Sequence, residues 1–426
     1  MAEIKAFHAL RFTPEAGDIK SLVCPPYDII SDAEREAYIE KNPYNIIRLE
    51  LPRGEQPYEE AGATLKQFVG DGILKKDDAA GIYIYEEEFA AKGRTMSFKG
   101  FVCLVGLEPF SKGVVLPHEE TLSKAKADRF NLMSTTFCNF SQIYSLYMDE
   151  KRETDTLLDK LSARTPDVEF TDGEGVVQRL WAVYDQDAIA TIQKQFADRK
   201  LYIADGHHRY ETALNFKNHV HEQGIDLGPD GSADYVMMML VSMEHPGLLV
   251  LPTHRIVRDL EKFDKDAVLT SCAEYFDIEV RPDVATAEAD LEVLYNEDKK
   301  AFAMYTGGDG YMLLTLRDEG VMEKLLADKS DAYRSLDVSV LHSLVLERLM
   351  GIDAANMANQ VNLTYTKFAQ EAVDAVRGGK ANCAFLLNPT RVTQIRDVAA
   401  AGEKMPQKST YFYPKLITGL VMNQFN

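Results

Sequence analysis

Hydrophobic residues along the chain recur with two periods, one helical and one extended, and the two alternate from one end of the sequence to the other. Segments with apolar residues at helical spacing, which predict helices, are 31–41, 59–70, 262–275, 338–350, 367–377 and 391–401. Short apolar runs, which predict strands, are 81–89, 97–107, 168–171, 176–184, 201–204, 235–243, 248–251, 301–305, 311–316 and 383–387. Helices and strands mixed in this way predict an α/β fold of the mixed α+β kind.

Turn residues join several of these strands in pairs. Glycine-containing turns that separate two apolar runs, and so predict hairpins, are 91–93, 172–175, 244–247 and 307–310. The helix predicted at 31–41 opens on Ser31 and has Glu34 three residues later, which is the spacing of a capping box. The helix at 338–350 has amphipathic spacing, so we expect one buried and one exposed face.

The length of 426 residues favours two or three domains. No linker rich in proline, serine or glycine separates them, and the best boundary lies near 255–262. We therefore predict a phosphate-binding core with hairpin insertions at 1–257. The remainder, 258–426, is predicted to be a C-terminal α/β region that closes the site.

Charge limits the class of partner. Acidic residues outnumber basic ones by 67 to 47, a formal net charge of −20, so we expect neither a nucleic-acid polymer nor a membrane as partner. The N-terminal residues lack the apolar run of a signal peptide, and the most apolar stretch, 235–243, is far shorter than a membrane span. Five scattered cysteines without a Cys-x-x-Cys pair favour reduced thiols. Together these features predict a cytoplasmic protein.

The sharpest motif is Asp205-Gly206-His207-His208-Arg209. An apolar run ends at Asp205 and helix-forming residues begin at His207, so Gly206 lies in a strand-to-helix turn. The backbone amides of a helix's first turn bind phosphate or carboxylate, and Gly206 lets the backbone approach a ligand closely. Cations at this end of a helix oppose its dipole unless an anion is present. The alternative is that Asp205 is an ordinary N-cap and the histidines are surface residues.

A second segment combines a histidine, carboxylates and cations within thirteen residues. Its members are His118, Glu119, Glu120, Thr121, Lys124, Lys126 and Arg129. In the functional interpretation a carboxylate is a general base or a Mg²⁺ ligand, and the cations contact phosphates. In the alternative interpretation the segment is a solvated helix whose charges pair with one another.

A third segment presents Tyr27 and Asp28 after two stiffening prolines, Pro25 and Pro26. Fixed presentation of this kind suits contact with a substrate, whereas the alternative is an ordinary proline–aspartate turn.

A fourth segment, 404–415, gathers lysines, hydroxyls and aromatic rings in an otherwise acidic chain. Its Lys408, Ser409 and Lys415 are candidates for contact with a nucleotide or another anion. An aromatic surface loop is the alternative.

These motifs together resemble a known family. The residues that carry the resemblance are Pro26-Tyr27-Asp28, His118-Glu119-x-Thr121, the Asp205–Tyr210 turn, Pro252-Thr253-His254-Arg255, and Met405-Pro406-x-Lys408-Ser409-Thr410 with Tyr411-Phe412-Tyr413-Pro414-Lys415. They are similar to the bacterial and archaeal family called domain of unknown function 1015, from Ile4 to Leu420. The family carries no assigned activity.

A broader resemblance concerns the turn alone. Asp205-Gly206-His207-His208-Arg209 is similar to the Asp-Gly-His-His-Arg turn of archaeal free serine kinases, and to the corresponding turn of sulfiredoxin and ParB-type domains. In those proteins the turn holds nucleotide phosphates, so the resemblance implies a ParB/sulfiredoxin-like nucleotide-binding core. Histidines replace the reactive cysteine of sulfiredoxin, and the acidic chain lacks the basic DNA-binding helices of ParB.

We therefore predict an enzyme, a phosphotransferase that moves a phosphoryl group between ATP or ADP and a small hydroxylated metabolite such as serine. Asp205 or Glu119 is the expected base or Mg²⁺ ligand, with His207 and His208 as further catalytic groups. Expected contacts to the phosphate-bearing ligand come from Gly206, Arg209, His118, Thr121, Arg129, Lys408, Ser409 and Lys415. Expected contacts to the substrate come from Tyr27, Asp28, His254 and Arg255.

Two other functions use the same residues. A phosphatase or other hydrolase of a phosphorylated metabolite would use the anion site with water as the acceptor. A non-catalytic nucleotide-binding regulator would bind without turnover.

Overall fold

The computed structural model describes residues 2–121, 123–228 and 232–425; the side chains of 123–125, and with them the predicted cation Lys124, lie outside the description. The strands, β1 to β21 in chain order, are Ile4–Lys5, Leu10–Phe12, Leu74–Lys76, Ile82–Ala91, Arg94–Gly106, Val115–Leu116, Cys138–Asn139, Ile143–Tyr147, Val168–Thr171, Val177–Val183, Leu201–Asp205, Tyr235–Ser242, Leu249–Leu251, His254–Val257, Phe276–Arg281, Ala301–Tyr305, Tyr311–Leu316, Leu363–Thr366, Cys383–Leu387, Tyr411–Tyr413 and Asn423–Gln424.

The α-helices, α1 to α15, are Asp32–Lys41, Ile47–Glu50, Pro57–Gly70, Ser123–Thr136, Glu153–Leu161, Gln186–Phe196, His207–Gln223, Lys265–Cys272, Val284–Asn296, Gly320–Leu325, Asp331–Arg334, Asp337–Ser339, Ala354–Ala358, Ala369–Arg377 and Val392–Ala400. Short 3₁₀ helices are Pro14–Ala16, Ile19–Ser21, Tyr27–Ile29 and Phe110–Lys112, and a π-helix is Val340–Leu349. The predicted mixed α/β class is confirmed.

The first of two compact units comprises Met1–Pro117, Thr121–Leu248 and Pro414–Asn426. Among its described residues, nine strands form one mixed sheet in the order β6-β11-β8-β12-β5-β4-β10-β9, with β1 beside β5. One face of this sheet is buried in an apolar core to which α6 and α7 contribute Phe196 and Phe216. Tyr210 of α7 also lies in that core, so the start of α7 is anchored to the sheet.

Three of the four predicted hairpins form. In the β4–β5 hairpin, Lys92 and Gly93 adopt φ values of 50° and 70°, and the pairing runs from Ala91 opposite Arg94 to Tyr83 opposite Val102. Strands β9 and β10 pair around the turn 172–175, and β16 and β17 around 307–310. Positive φ at a two-residue turn matches the twist of the flanking strands, which is why glycine marks such turns in the sequence.

The predicted hairpin around 244–247 is wrong. Strand β12 pairs with β5 on one edge and β8 on the other, whereas β13 pairs with β20. Both edges of β12 are therefore occupied, so β13 has no edge of β12 to join.

Two helix predictions in the first unit are confirmed in detail. Helix α1 begins after Ser31, whose hydroxyl accepts a hydrogen bond from the amide of Glu34, while the Glu34 carboxylate accepts one from the amide of Ser31. This reciprocal pair is the capping box that the spacing predicts. Helix α3 runs over Pro57–Gly70, as predicted from 59 onward.

The second unit comprises His118–Glu120 and Leu249–Tyr413. Its six-stranded sheet has the order β15-β17-β16-β19-β14-β18, and every neighbouring pair in it is antiparallel. Helices α9 and α14 bury Leu291 and Val373 in a core with Ala303, Leu313 and Leu386 of the strands. Strands β13 and β20 form a separate pair.

The helix predicted at 338–350 differs from its expected form. Residues 340–349 are π-helical, and 340–346 are buried except for residue 343. The buried face is therefore wider than the stripe of an amphipathic α-helix. The buried His342 therefore lies in a rare type of helix that often occurs at functional sites.

The division into a core at 1–257 and a C-terminal region at 258–426 stays a prediction. All five cysteines are buried free thiols. Within the described stretches, no helix combines the length and apolar character that a bilayer crossing needs.

Candidate functional site

The predicted strand–turn–helix motif forms in the first unit. Strand β11 ends at Asp205, Gly206 follows, and α7 begins at His207. Gly206 has φ 94° and ψ 27°, a left-handed conformation that favours glycine, and as N-cap residue it has no side chain to cap the amides of α7. A Cβ atom at Gly206 would lie 2.9 Å from Nε of Arg209. Glycine at this position therefore makes the turn and leaves room for the Arg209 side chain to fold back over it.

Asp205 lies between two cations. Its Oδ2 accepts a hydrogen bond from Arg209 at 2.9 Å, and its Oδ1 accepts one from Nζ of Lys415 at 2.8 Å. The side chains of Asp205, Arg209 and Lys415 are only 24%, 13% and 15% exposed, so solvent screens these pairs weakly. Burial acts to raise the pKa of the Asp205 carboxyl, but the charges of Lys415 and Arg209 outweigh it and hold that pKa well below its usual range. Asp205 is therefore ionised at neutral pH and orients both cations.

Arg209 is fixed on its other side as well. Its second guanidinium nitrogen donates to the backbone carbonyl of Gln142, just before β8. Arg209 also lines a cavity of about 30 Å³ together with Glu50, Arg129 and Ser141, a volume that holds about one water molecule. The turn is therefore continuous with a buried polar cluster.

Glu50 and Arg129 form the centre of that cluster. The Arg129 guanidinium lies 3.8 Å from the Glu50 carboxylate and donates to the Glu50 backbone carbonyl at 2.6 Å. The Ser141 hydroxyl donates to Oε1 of Glu50 at 2.8 Å. Burial raises the pKa of the Glu50 carboxyl, although the charge of Arg129 opposes the shift. The cluster thus holds a carboxyl group whose pKa lies above that of an exposed glutamate.

Tyr27 and Asp28 border the same cluster. The guanidinium carbon of Arg129 lies 4.1 Å from the centroid of the Tyr27 ring, a cation–π contact. Burial raises the pKa of Tyr27 to about 12, while Arg129 acts in the opposite direction. Asp28 is exposed, and its charge acts on both Tyr27 and Glu50. The first, second and third predicted segments therefore each contribute a residue to one neighbourhood of the first unit.

Other predicted residues belong to α7 or contact it. His207 is buried and His208 is half-buried. One turn later, Glu211 accepts hydrogen bonds from the Thr121 hydroxyl at 2.8 Å and from Nζ of Lys126 at 2.6 Å. In this structure Thr121 thus serves to fix the helix face beside the turn.

The remaining predicted residues belong to the second unit. Oε1 of Glu119 accepts a hydrogen bond from the backbone amide of Lys408 at 3.2 Å. A ring nitrogen of the buried His118 lies 2.9 Å from the Thr410 hydroxyl. The Ser409 hydroxyl bonds within its own loop, and the Lys408 side chain is exposed on a backbone with φ 56°. Hydrogen bonds therefore join residues 118–119 to residues 405–410.

His254 and Arg255 lie in the interior of the second unit. Nδ1 of His254 accepts a hydrogen bond from the amide of Leu387 at 3.2 Å. Burial, helped by the charge of Arg255, lowers the pKa of His254 to about 4, so this imidazole is neutral at pH 7. Nε of Arg255 donates to Nε2 of His342 at 3.1 Å and so requires that nitrogen to be unprotonated.

Binding of Mg²⁺ by Asp205 or Glu119 stays a prediction. No group of three or more His, Cys, Asp or Glu side chains is clustered in the part of the chain that the structure describes. Each carboxylate oxygen of Asp205 accepts a hydrogen bond from a cationic side chain. Mg²⁺ prefers near-octahedral coordination by oxygen atoms, so these hydrogen bonds compete with Mg²⁺ for the same oxygens.

Sequence reasoning missed Glu50, Ser141 and Gln142. None of the three belongs to a motif. The available signal was Glu50 itself, a carboxyl with a leucine on each side, because a carboxyl that is buried among apolar residues must find a partner. Ser141 and Gln142 gave no comparable signal.

Fold and site together define a mixed α/β protein with a cation-bearing strand-to-helix turn. The chain belongs to the family described as "Protein of unknown function (DUF1015)", whose model matches residues 4–339. This match confirms the resemblance carried by the motifs up to Arg255; the 405–415 motif lies beyond the matched residues. No curated protein matches the sequence.

Several solved structures are similar to the chain at 12% identity. A free serine kinase variant in complex with AMP has a TM-score of 0.37 and covers 74% of this chain and 89% of its own. A conserved hypothetical protein from Pyrococcus furiosus has a TM-score of 0.35, with 74% and 93% covered. SbnI with a C-terminal truncation, from Staphylococcus aureus, has a TM-score of 0.36, with 75% and 86% covered.

Proposed function

We propose that the protein is a phosphotransferase that moves a phosphoryl group between ATP or ADP and a small hydroxylated metabolite such as serine. The observation that carries the proposal is Asp205 holding Arg209 and Lys415 at the N-terminus of α7. Two oriented cations beside an N-terminus without a side-chain cap suit the phosphates of a nucleotide. Phosphoryl transfer depends mostly on positioning and charge neutralisation, which these groups supply.

The choice of ATP or ADP, and of serine, rests on the Asp-Gly-His-His-Arg turn, which resembles that of free serine kinases. In the proposed reaction the metabolite's hydroxyl oxygen forms a bond to phosphorus while the bond to the nucleotide's bridging oxygen breaks. The hydroxyl proton must pass to a base. Asp205 is a weak base because its pKa is held low. Glu50 lines one cavity with Arg209 and its pKa is raised, so we assign the proton to Glu50.

In this proposal Asp205 is a positioning residue. Its two ion pairs fix the directions of Arg209 and Lys415 before a ligand arrives, so little ordering is left for the binding step. His207 and His208 stay predicted catalytic groups, and Thr121 stays a predicted contact to the phosphate-bearing ligand. The predicted roles of Glu119, His118, Lys408 and Ser409 stay predictions for the second unit.

Isothermal titration of the full-length chain with ATP, ADP and AMP tests the proposal. We expect binding by the wild type, a loss of at least about tenfold in affinity in Arg209→Ala, and no change in Arg53→Ala, an exposed arginine that pairs with Asp32. An absence of nucleotide binding by the wild type would refute the proposal.

Phosphorus NMR of a mixture of nucleotide and serine then separates the alternatives. A new phosphate-ester signal that requires nucleotide supports the transferase. Inorganic phosphate released from a phosphorylated metabolite without nucleotide supports the hydrolase, and binding without any turnover supports the regulator.

A further inference from the structure

A chain of hydrogen bonds runs through the interior of the first unit from Glu87 to Asp172. The Tyr85 hydroxyl lies 2.9 Å from Oε1 of Glu87 and also bonds to Oε1 of Gln178. Nε2 of Gln178 donates to Oδ2 of Asp172 at 2.9 Å. Glu87, Tyr85 and Gln178 are each no more than 1% exposed. Asp172 begins the turn 172–175, whose other residues are exposed, so the chain joins the interior to the surface.

The direction of each hydrogen bond in this chain follows from its Asp172 end. Oδ1 of Asp172 accepts hydrogen bonds from two nearby backbone amides, so this carboxylate acts as an acceptor throughout. The amide nitrogen of Gln178 therefore faces Asp172, and its amide oxygen faces Tyr85 as an acceptor. A phenol has a single hydrogen, so Tyr85 donates it to Gln178 and accepts the bond from Glu87. Only a protonated carboxyl group can donate, and Glu87 is thus the neutral acid.

The environment of Glu87 also favours the neutral acid. Its Oε2 atom has no hydrogen-bond partner among the described residues. Burial is the largest cause that raises the pKa of this carboxyl to about 8, although the hydrogen bonds of Tyr85 and Gln178 act in the opposite direction. The directions of the hydrogen bonds and the burial are independent observations, and both assign a proton to Glu87.

The neighbours of Glu87 come from the strands beside it and from the turn. In the sheet, Gln178 of β10 lies directly opposite it, and the opposite residue of β5 is a phenylalanine. Tyr144 of β8 is a further titratable neighbour. The charged groups that act on it are the acids Asp172 and Glu174. Both repel a negative charge at Glu87, so ionisation of this carboxyl must be accompanied by rearrangement of its neighbours.

We propose that Glu87, Tyr85, Gln178 and Asp172 form a switch that responds to alkaline pH. Hydroxide takes the Glu87 proton to form water, so the O–H bond of the carboxyl breaks and the carboxylate that remains needs a donor. Tyr85 then turns its hydrogen from Gln178 to Glu87. Gln178 satisfies the Tyr85 oxygen by turning its amide nitrogen toward it, which places the amide oxygen against the Asp172 carboxylate. The hydrogen bond that ties the turn 172–175 to β10 is then lost.

Infrared difference spectroscopy of the full-length chain tests the proton on Glu87. The spectrum of the wild type minus that of Glu87→Gln should show the carbonyl band of a protonated carboxylic acid at pH 6. At pH 10 the same difference should show the bands of a carboxylate instead. A carboxylate already present at pH 6 would overturn the proposal.

Amide hydrogen exchange followed by mass spectrometry tests the release of the turn 172–175. After correction for the intrinsic dependence of exchange on pH, protection of the wild-type turn should fall by about tenfold between pH 6 and pH 9, the value of one hydrogen bond to a charged group. Glu87→Gln keeps a donor in place of the acid, so its turn should stay protected at both pH values. Constant protection in the wild type would refute the switch even with the proton on Glu87.

Gln178→Met removes the amide that links the two ends of the chain. Its turn should have low protection at both pH values, while Glu87 still titrates in the infrared spectrum. A turn in this variant that kept the wild-type dependence on pH would contradict the proposal. The matched control is Glu88→Gln, at the next residue of β4, which pairs with Arg179 and should leave the wild-type change intact. Arg209→Ala should also keep the switch, so this proposal and the proposed nucleotide site can each fail alone.

Discussion

Nζ of Lys415 lies 2.8 Å from Oδ1 of Asp205, although 210 positions separate the two residues. The contact places a lysine from a C-terminal segment at the start of α7, opposite Arg209. Lys415→Met should therefore weaken ATP and ADP binding roughly ten- to a hundredfold, the value of one hydrogen bond to a charged group. Titration calorimetry measures the loss. Lys112→Met, which breaks an exposed pair with Glu108, should bind as the wild type does; equal affinity in both variants would contradict the assignment.

Gly206→Ala tests the turn. The left-handed backbone costs a residue with a Cβ about 1–2 kcal/mol, and this Cβ would also displace the Arg209 side chain. We expect both lower stability in urea denaturation and weaker nucleotide binding. Gly224→Ala, at the other end of α7, has φ 61° and no atom within 4 Å of the added Cβ. Gly224→Ala should lower stability without weakening nucleotide binding. If it weakened binding as well, the loss of binding in Gly206→Ala would not be specific to the turn.

Glu50→Gln separates proton transfer from binding. Loss of a general base slows turnover by about a hundredfold or more, while nucleotide affinity should change by less than about threefold because Arg209 and Lys415 remain. Glu87→Gln is the matched control: this glutamate is also buried in the first unit, and burial raises its pKa to about 8. Its carboxyl is already mostly neutral at pH 7, so the amide should preserve turnover. Steady-state kinetics would contradict the assignment if both variants behaved alike.

Acid should destabilise the second unit through His254. Its pKa is lowered to about 4 when folded, chiefly by burial, whereas an unfolded histidine titrates near pH 6.5. The unfolded chain therefore binds the proton first, and stability is full above pH 6.5 and falls by about 3 kcal/mol between pH 6.5 and 4. His254→Asn should reduce this slope in urea denaturation at several pH values, and the buried His342, whose pKa is also lowered by burial, accounts for a further part of it. A slope unchanged in this variant would exclude His254 as its source.

Local features of the fold were predictable because they depend on near neighbours. The capping box at Ser31 and Glu34 and the turn at Lys92 and Gly93 involve residues at most three apart. Strand β13 was assigned to the wrong partner because its true partner, β20, is more than 150 residues away. Competition between strand edges is a property of the whole sheet, and no local pattern encodes it.

The residues of the candidate site also fall into two groups: those that local sequence marks and those that only packing brings together. Asp205, Gly206 and Arg209 lie within one turn, so the sequence alone marks them. The ion pair between Asp205 and Lys415 was not predicted, although both were predicted as site residues. Glu50 reaches Arg209 only through a cavity that packing creates, so its place there could not be derived from spacing.

The pairing of β21 with β7 has a consequence for synthesis of the protein. The first unit needs Pro414–Asn426, but the 165 residues of Leu249–Tyr413 are made before that segment. At the usual ribosomal rates this interval lasts roughly 10–30 s. Throughout it the nascent first unit lacks β21, and the site lacks Lys415. A chain whose translation stops early therefore cannot complete the site, however well its sheet has formed.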